Sequence, residues 1–220
     1  MTLKLCGFSA SNYYNQVKLQ LLEKQVQFDE EMVATGSTEL AVLERSPMAK
    51  VPFLDTGIGC ISESMACAEY IEAQYPQHAL LPSDPFAAAK VRELVIYIEL
   101  HLELVARELY AEAFFGGKVS DAVKERTRKL LTRAVAAFGR IAIFKPFVAG
   151  DQFTLADCAA VVHLPIVSGA SKIIYGEDLL AALPVRDYLK AMGERPMVAK
   201  VNADRKADTL RLMAAVSAKG

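Results

Sequence analysis

The sequence predicts an α/β domain followed by an all-helical one. Three observations carry this. Residues 3–75 alternate short extended apolar segments with short helical ones, the order expected of a compact α/β unit. The stretch PQHALLPSDPF, residues 76–86, holds three prolines and no periodic pattern, so it reads as a linker. Beyond it the apolar residues recur at helical spacing to the end of the chain. The division is therefore residues 1–77, a linker over 78–86, and a helical domain over 87–220.

Leu3 to Phe8 is the first expected strand. A helix follows with an apolar stripe of Val17, Leu19, Leu21 and Leu22, and with Gln16, Gln20, Glu23 and Lys24 on its polar side. Gln27 to Ala34 reads as a strand too acidic, in FDEEMV, for the middle of a sheet. Thr35 to Arg45 is a loop with a short weak helix. Val51–Asp55 and Ile58–Ile61 flank the turn signal Asp55-Thr56-Gly57 and read as a hairpin. Ser64 to Tyr75 is a helix stopped by Pro76. In the second half, one long helix is expected from Ala87 to Phe115, ended by Gly116-Gly117. Further helices are expected over Asp121–Phe144, Thr154–Leu164, Asp178–Gly193 and Pro196–Ala215, the second of them stopped or kinked by Pro165.

One helix start is explicit. In FTLADCAAVVHL, Thr154 and Asp157 stand at capping-box spacing and Phe153 can act as the staple. The helix behind them is almost wholly apolar and belongs at the centre of its domain. This is a folding device, with no catalytic role assigned to it.

Composition excludes several classes. The formal net charge is −1 and no long block of one sign occurs, which argues against nucleic-acid or membrane-surface binding. No apolar run approaches a membrane span and the N-terminus lacks a signal-like segment. Cys6, Cys60, Cys67 and Cys158 form no C-x-x-C pair, and His78, His101 and His163 form no ligand pair, so no metal is expected. Free buried thiols fit a reducing, cytoplasmic setting.

Three short stretches could carry chemistry. In AKVPFL, Pro52 opens an apparent strand; a cis bond there would turn the backbone N–H and C=O of Val51 toward a partner, whereas a trans proline at a strand edge would do nothing special. In CISES, Ser62 can cap the next helix, and Glu63 and Ser64 fall at its N-terminus. Backbone N–H groups and the Ser64 hydroxyl suit a carboxylate, while Glu63 suits an ammonium. In GFSASNYYNQ, Ser9, Ser11 and Asn12 crowd a strand-to-helix junction. That junction faintly matches the G-x-S-x-G nucleophile elbow, but only one strand precedes it and no histidine completes a triad.

With KVPFL, the Glu63-Ser64 pair, FTLADC and the later ERPMVAKV in this order, the chain resembles the glutathione transferase superfamily over nearly its whole length, in particular its soluble, serine-type bacterial members. The resemblance implies an α/β thioredoxin-like N-terminal domain followed by an all-α C-terminal helical domain, and a homodimer that binds glutathione. It places KVPFL at the cis-proline turn and Glu63-Ser64 at the γ-glutamyl site. It assigns the catalytic hydroxyl to Ser11, six residues before Val17, with Ser9 as the competitor and Tyr13 or Tyr14 as a third possibility. Asn12 would orient the hydroxyl or the thiolate. Val51, beside Pro52, would pair its backbone with the cysteinyl part and Lys50 would meet the glycyl carboxylate. Tyr14, Tyr97, His101, Tyr110, Phe114 and Phe115 are the candidates for an acceptor pocket.

The chemistry follows from thiol acidity. A free thiol titrates near pH ~8.5, so only a few per cent is ionised at neutral pH. Lowering that value by about two requires roughly 2.7 kcal/mol. A hydroxyl donating to the thiolate supplies on the order of 1.5–3 kcal/mol and a helix N-terminus a few tenths to about one more. Ser11 thus serves as a hydrogen-bond donor, and the sulfur attacks a small hydrophobic electrophile or a peroxide. The competing reading is a glutathione transferase-like binding or regulatory protein without turnover. A third is a disulfide reductase built on a cysteine such as Cys6.

Overall fold

The computed structural model describes residues 2–217. By contact they form two units, one of residues up to Leu80 together with those from Gly193 onward, the other of Leu81–Met192. This grouping differs from a division by chain order at residue 87, because the last helix packs on the first.

In the first unit, β1 (Leu3–Gly7), β2 (Phe28–Met32), β3 (Phe53–Asp55) and β4 (Cys60–Ser62) form one sheet in the order β2-β1-β3-β4. β1 and β2 are parallel and the other pairs antiparallel. The acidic strand is indeed at an edge. Alternation decides what each face carries. Leu3, Leu5 and Leu54 point to the side of α1 (Asn12–Glu23) and α3 (Ser64–Gln74), where they pack with Tyr14, Val17, Leu21, Cys67 and Ile71. Cys6 and Phe53 point the other way and pack with Val33, Val51 and Val42 of α2 (Leu40–Leu43). Burying each such large side chain stabilises the fold by roughly 1.5–3 kcal/mol. This is the thioredoxin-like arrangement.

α1 departs from its expected amphipathic pattern. Gln16, Lys18, Gln20 and Lys24 are buried with the leucines. Their nitrogens have partners: Gln20 Nε2 donates to the Ala68 carbonyl at 3.0 Å and to Glu72 at 3.0 Å, and Lys24 Nζ lies 3.1 Å from Glu72, while the Gln20 Oε1 is buried without one. A helix covered on several sides can bury polar residues when most of their polar atoms are bonded in this way. On a further side lies α10 (Pro196–Ser217), joined to α1 by Lys18–Asp204 at 2.9 Å, with Arg195 just before it 2.8 Å from Glu23.

The second unit is all helical. α4 (Pro85–Ile96) starts at Asp84, whose side chain accepts the Ala87 N–H at 2.8 Å. The long helix expected to Phe115 is interrupted. A π-helical stretch (Tyr97–Glu103), α5 (Leu104–Ala106), a 3-10 turn (Arg107–Leu109) and α6 (Tyr110–Phe115) follow one another. The π turn adds a residue to the repeat and so changes which positions face inward. Here it coincides with the burial of Glu99 and Glu103. Gly116, at φ 69°, ends the run.

α7 spans Asp121–Ile141, α8 Leu155–Tyr175 and α9 Val185–Gly193. The Thr154–Asp157 capping box is formed. Asp157 also accepts the Val148 N–H at 2.9 Å and the Tyr188 hydroxyl at 2.8 Å. α8 does not stop at Pro165 but continues for ten more residues to Tyr175. Burial of Leu164, Val167 and Ala170 on both sides of the proline holds the helix together despite the lost backbone bond. By length and composition α8 could cross a membrane, contrary to the sequence expectation; 56% of its most apolar window is buried inside the protein.

Candidate functional site

Strand register brings the three candidate stretches to one end of the sheet. Cys6 pairs with Phe53, and Phe53 with Ser62. The residues just past these pairs are Gly7 on β1, Pro52 and Val51 before β3, and Glu63 and Ser64 after β4. The Val51-Pro52 bond is cis. Among the described residues, no backbone hydrogen bond engages Val51. An unpaired main-chain N–H and C=O beside a sheet end is a ready partner for an extended peptide.

Gly7 controls how close these segments come. It has φ +149°, and a Cβ placed on it would lie 2.6 Å from the Tyr14 ring and 3.0 Å from Val51 Cβ. Only a glycine lets β1 end against both. In the sequence its signal is only that of an isolated glycine at a strand end, a mark of close backbone approach.

From Gly7 the chain makes a short turn into α1. Ser11 N–H donates to the Phe8 carbonyl at 3.1 Å. Ser11 is the N-cap of α1, with its Oγ accepting the Tyr14 N–H at 3.3 Å. As an acceptor there, the hydroxyl still has its own proton to donate. Ser9 lies one turn position earlier, its carbonyl accepting from Asn15 Nδ2 at 2.7 Å. Asn12 is buried in the first turn of the helix.

α3 starts differently from expectation. Its N-cap is Glu63, not Ser62, and no side chain caps it. Ser62 is held in β4 by its pairing with Phe53, so it cannot reach forward to the helix. Glu63 has φ 71° and ψ 124°, a backbone state that costs on the order of 1–3 kcal/mol and is retained chiefly at functional positions. Its side chain is exposed, while Ser64 beside it is buried. Lys50 is exposed at the start of the cis turn, and its carbonyl is fixed by the Ser46 hydroxyl at 2.8 Å.

Tyr14 has a different environment from the serines. It is 1% exposed and part of the first unit's core. Its hydroxyl donates to Glu30. Burial, with Glu30 adding to it, pushes the phenol well above its ordinary pKa, so it stays protonated. Glu30 is also 2.7 Å from Lys18, which in turn reaches Asp204, and Asp204 reaches Lys200 at 2.9 Å. These residues, with Gly7 and Ser9, line a groove of about 460 Å³ in the first unit. Sequence reasoning missed this network because its partners come from segments far apart in the chain.

The remaining acceptor candidates belong to the second unit. Tyr97 and His101 meet edge to face at 5.0 Å, as do Tyr110 and Phe114 at 5.2 Å, and Phe115 joins Phe114 at 6.5 Å. The Tyr110 hydroxyl donates to buried Glu103 at 3.2 Å. Phe115 is 78% exposed, whereas Tyr110 is buried. Of the thiols, Cys6 and Cys67 are pushed up to about 12, chiefly by burial. Burial therefore disfavours the thiolate of both at neutral pH.

Residues 5–79 match the family model described as glutathione S-transferase, N-terminal domain, and residues 121–191 match glutathione S-transferase, C-terminal domain. A protein of Pseudomonas putida named glutathione S-transferase is 46% identical over 206 residues, 93% of each chain. A maleylpyruvate isomerase of Ralstonia sp. is 30% identical, over 87% of this chain and 92% of its own. The solved apo structure of glutathione S-transferase III superposes with a TM-score of 0.75 and 28% identity, covering 92% of this chain and 96% of that one. The chain belongs to the glutathione S-transferase family.

Proposed function

We propose that the protein binds glutathione at the sheet end and conjugates its thiol to a small hydrophobic electrophile, with Ser11 as the group that stabilises the thiolate. The observation that carries this is the position of Ser11: its Oγ caps α1 while its proton remains available, at a helix start where negative charge is favoured. Asn12 would assist by orientation. Ser9 is the alternative donor on the same turn. Val51 would pair through its backbone with the cysteinyl residue beside the Pro52 turn. Ser64 and the α3 N-terminus would take the γ-glutamyl carboxylate, Glu63 its ammonium, and Lys50 the glycyl carboxylate. Tyr97, His101, Phe114 and Phe115 are the proposed acceptor contacts. The assignment omits Tyr14 and Tyr110 from direct substrate contact, because both are buried with their hydroxyls on carboxylates.

In the reaction the thiolate attacks the electrophilic carbon, an S–C bond forms, and the leaving group departs with its electron pair. With a peroxide the thiolate would attack one oxygen and break the O–O bond, releasing the alcohol, and a second glutathione thiol would convert the resulting sulfenic acid to the disulfide and water. The test is retention on immobilised glutathione followed by a conjugation assay with a generic aryl halide. Wild-type turnover that falls sharply in Ser11→Ala supports the reading. Binding without turnover, unchanged in Ser11→Ala, overturns it in favour of a non-catalytic glutathione-binding protein.

The proposed assembly is a homodimer. Ile96, Leu100 and Leu104 are 43%, 50% and 49% exposed along one run of helix, and Leu130 of α7 is 46% exposed. α7 packs on the π-helical stretch that carries Leu100, which would let these residues share one apolar surface. A second copy of the same surface would cover them. Four free cysteines fit a reducing cytoplasm.

A further inference from the structure

We propose that Asp208, on α10, is a positioning residue for the serine hydroxyls of the β1–α1 turn. The Ala10 N–H donates to Asp208 Oδ2 at 2.9 Å, across 198 positions of sequence. The other carboxylate oxygen, Oδ1, is held by Arg211 through Nε at 3.0 Å and Nη2 at 2.7 Å. The Asp208 side chain is 10% exposed while that of Arg211 is 57% exposed, so the acceptor is enclosed and the guanidinium lies over it. The Arg211 Nη2 is also 3.9 Å from the sulfur of Met32 at the end of β2.

The turn has three such backbone anchors, each fixing one group. The Phe8 carbonyl receives Ser11 N–H, the Ser9 carbonyl receives Asn15 Nδ2, and the Ala10 N–H goes to Asp208. The Ser9 carbonyl and the Ala10 N–H belong to one peptide unit. Asn15 grips one end of that plane and Asp208 the other. Without Asp208, the plane has a single polar anchor and is free to rotate, carrying Ser9 with it and loosening the approach to Ser11. A donor acts on a thiolate only when held within about 3 Å of it, and a misplacement of about 1 Å can cost about a hundredfold in rate. The helix at the far end of the chain therefore completes the turn that the first strand begins.

This inference rests on the turn being the thiol site, and the experiment separates the two. The pKa of bound glutathione is measured by thiolate ultraviolet absorbance in wild type, Asp208→Ala and Asp208→Asn, alongside backbone amide exchange over residues 9–12. The positioning role predicts that Asp208→Ala raises the thiol pKa by about one, an approximately tenfold drop in the thiolate-to-thiol ratio. It also predicts faster exchange over the turn and an alkaline shift in the kcat/KM profile. Asp208→Asn keeps an oxygen acceptor for the Ala10 N–H and should retain the wild-type pKa or a lower one. If Asp208 acted only as a nearby negative charge, both variants would lower the thiol pKa, since the carboxylate disfavours the thiolate. A lowered thiol pKa in wild type that Asp208→Ala leaves unchanged, or lowers further, overturns the inference alone. Ordinary thiol acidity in wild type overturns the proposed function and this role with it.

Discussion

The Oγ of Ser11 lies 3.3 Å from the backbone nitrogen of Tyr14 and accepts its hydrogen. One serine thus ends a helix and offers a proton at the same point, and the two roles separate on mutation. Ser11→Ala should cost about 1 kcal/mol of stability through the lost cap. It should lower kcat/KM for conjugation by about tenfold to a hundredfold, because a hydrogen bond to a charged group is lost. Ser11→Thr keeps both functions and should recover most of each. Steady-state kinetics with thermal melts check this, and if Ser9→Ala abolishes conjugation while Ser11→Ala spares it, the donor is Ser9.

Gly7→Ala tests the close approach of β1 to the cis-proline turn. The new methyl would sit 2.6 Å from the Tyr14 ring and 3.0 Å from Val51 Cβ, at a φ of +149° that alanine avoids. Tyr14 cannot move aside without leaving Glu30. The expected loss is about 2–3 kcal/mol, read as a lower urea midpoint, with glutathione affinity falling as Val51 is displaced. Wild-type stability in Gly7→Ala would show that the ring and the turn can give way.

Local patterns made much of this protein legible before its structure. Thr154 and Asp157 announce their capping box by spacing alone, and FDEEM declares an edge strand by its charge. Glu63 and Ser64 were visible as a helix start, but the choice of cap was not, since strand pairing decides it by holding Ser62. Gln20 looked solvent-facing because its neighbours Ala68 and Glu72 are about fifty residues away. Asp208 was invisible for the same reason: nothing around it in sequence marks it as an acceptor for Ala10. The π-helical stretch has no local signature either, because the 3.6-residue pattern on both sides continues through it.

The exposed leucines predict a specific change of assembly. Introducing Leu100→Glu with Leu104→Glu puts two charges on a surface where both residues are about half exposed. In a monomer, substitutions at such sites change stability by about 0.5 kcal/mol or less. At a symmetric interface each charge would face the partner's apolar surface without compensation. Light scattering should therefore show a dimer in wild type and a monomer in the double variant, with the far-ultraviolet circular dichroism unchanged. A wild-type monomer would remove the dimer from the proposal.

His163 predicts how stability responds to acid. It lies wholly buried in α8, and burial lowers its pKa from 6.5 to about 4; Glu103 opposes that shift and Arg107 reinforces it. Because the folded value is the lower one, the unfolded chain takes up the proton first as pH falls. The stability that comes from keeping the ring neutral is complete above pH ~6.5 and is lost progressively toward pH ~4. At one proton this amounts to about 2 kcal/mol between pH ~7 and pH ~5. Urea midpoints at those two values should differ in wild type by more than in His163→Gln, which cannot take up a proton there. The carboxylates that also titrate are common to both proteins, so the difference isolates the imidazole. Nuclear magnetic resonance of the folded wild type gives an independent reading: a His163 ring that titrates near its ordinary value would mean that water or Glu103 compensates the charge, and the acid-dependent loss should then vanish.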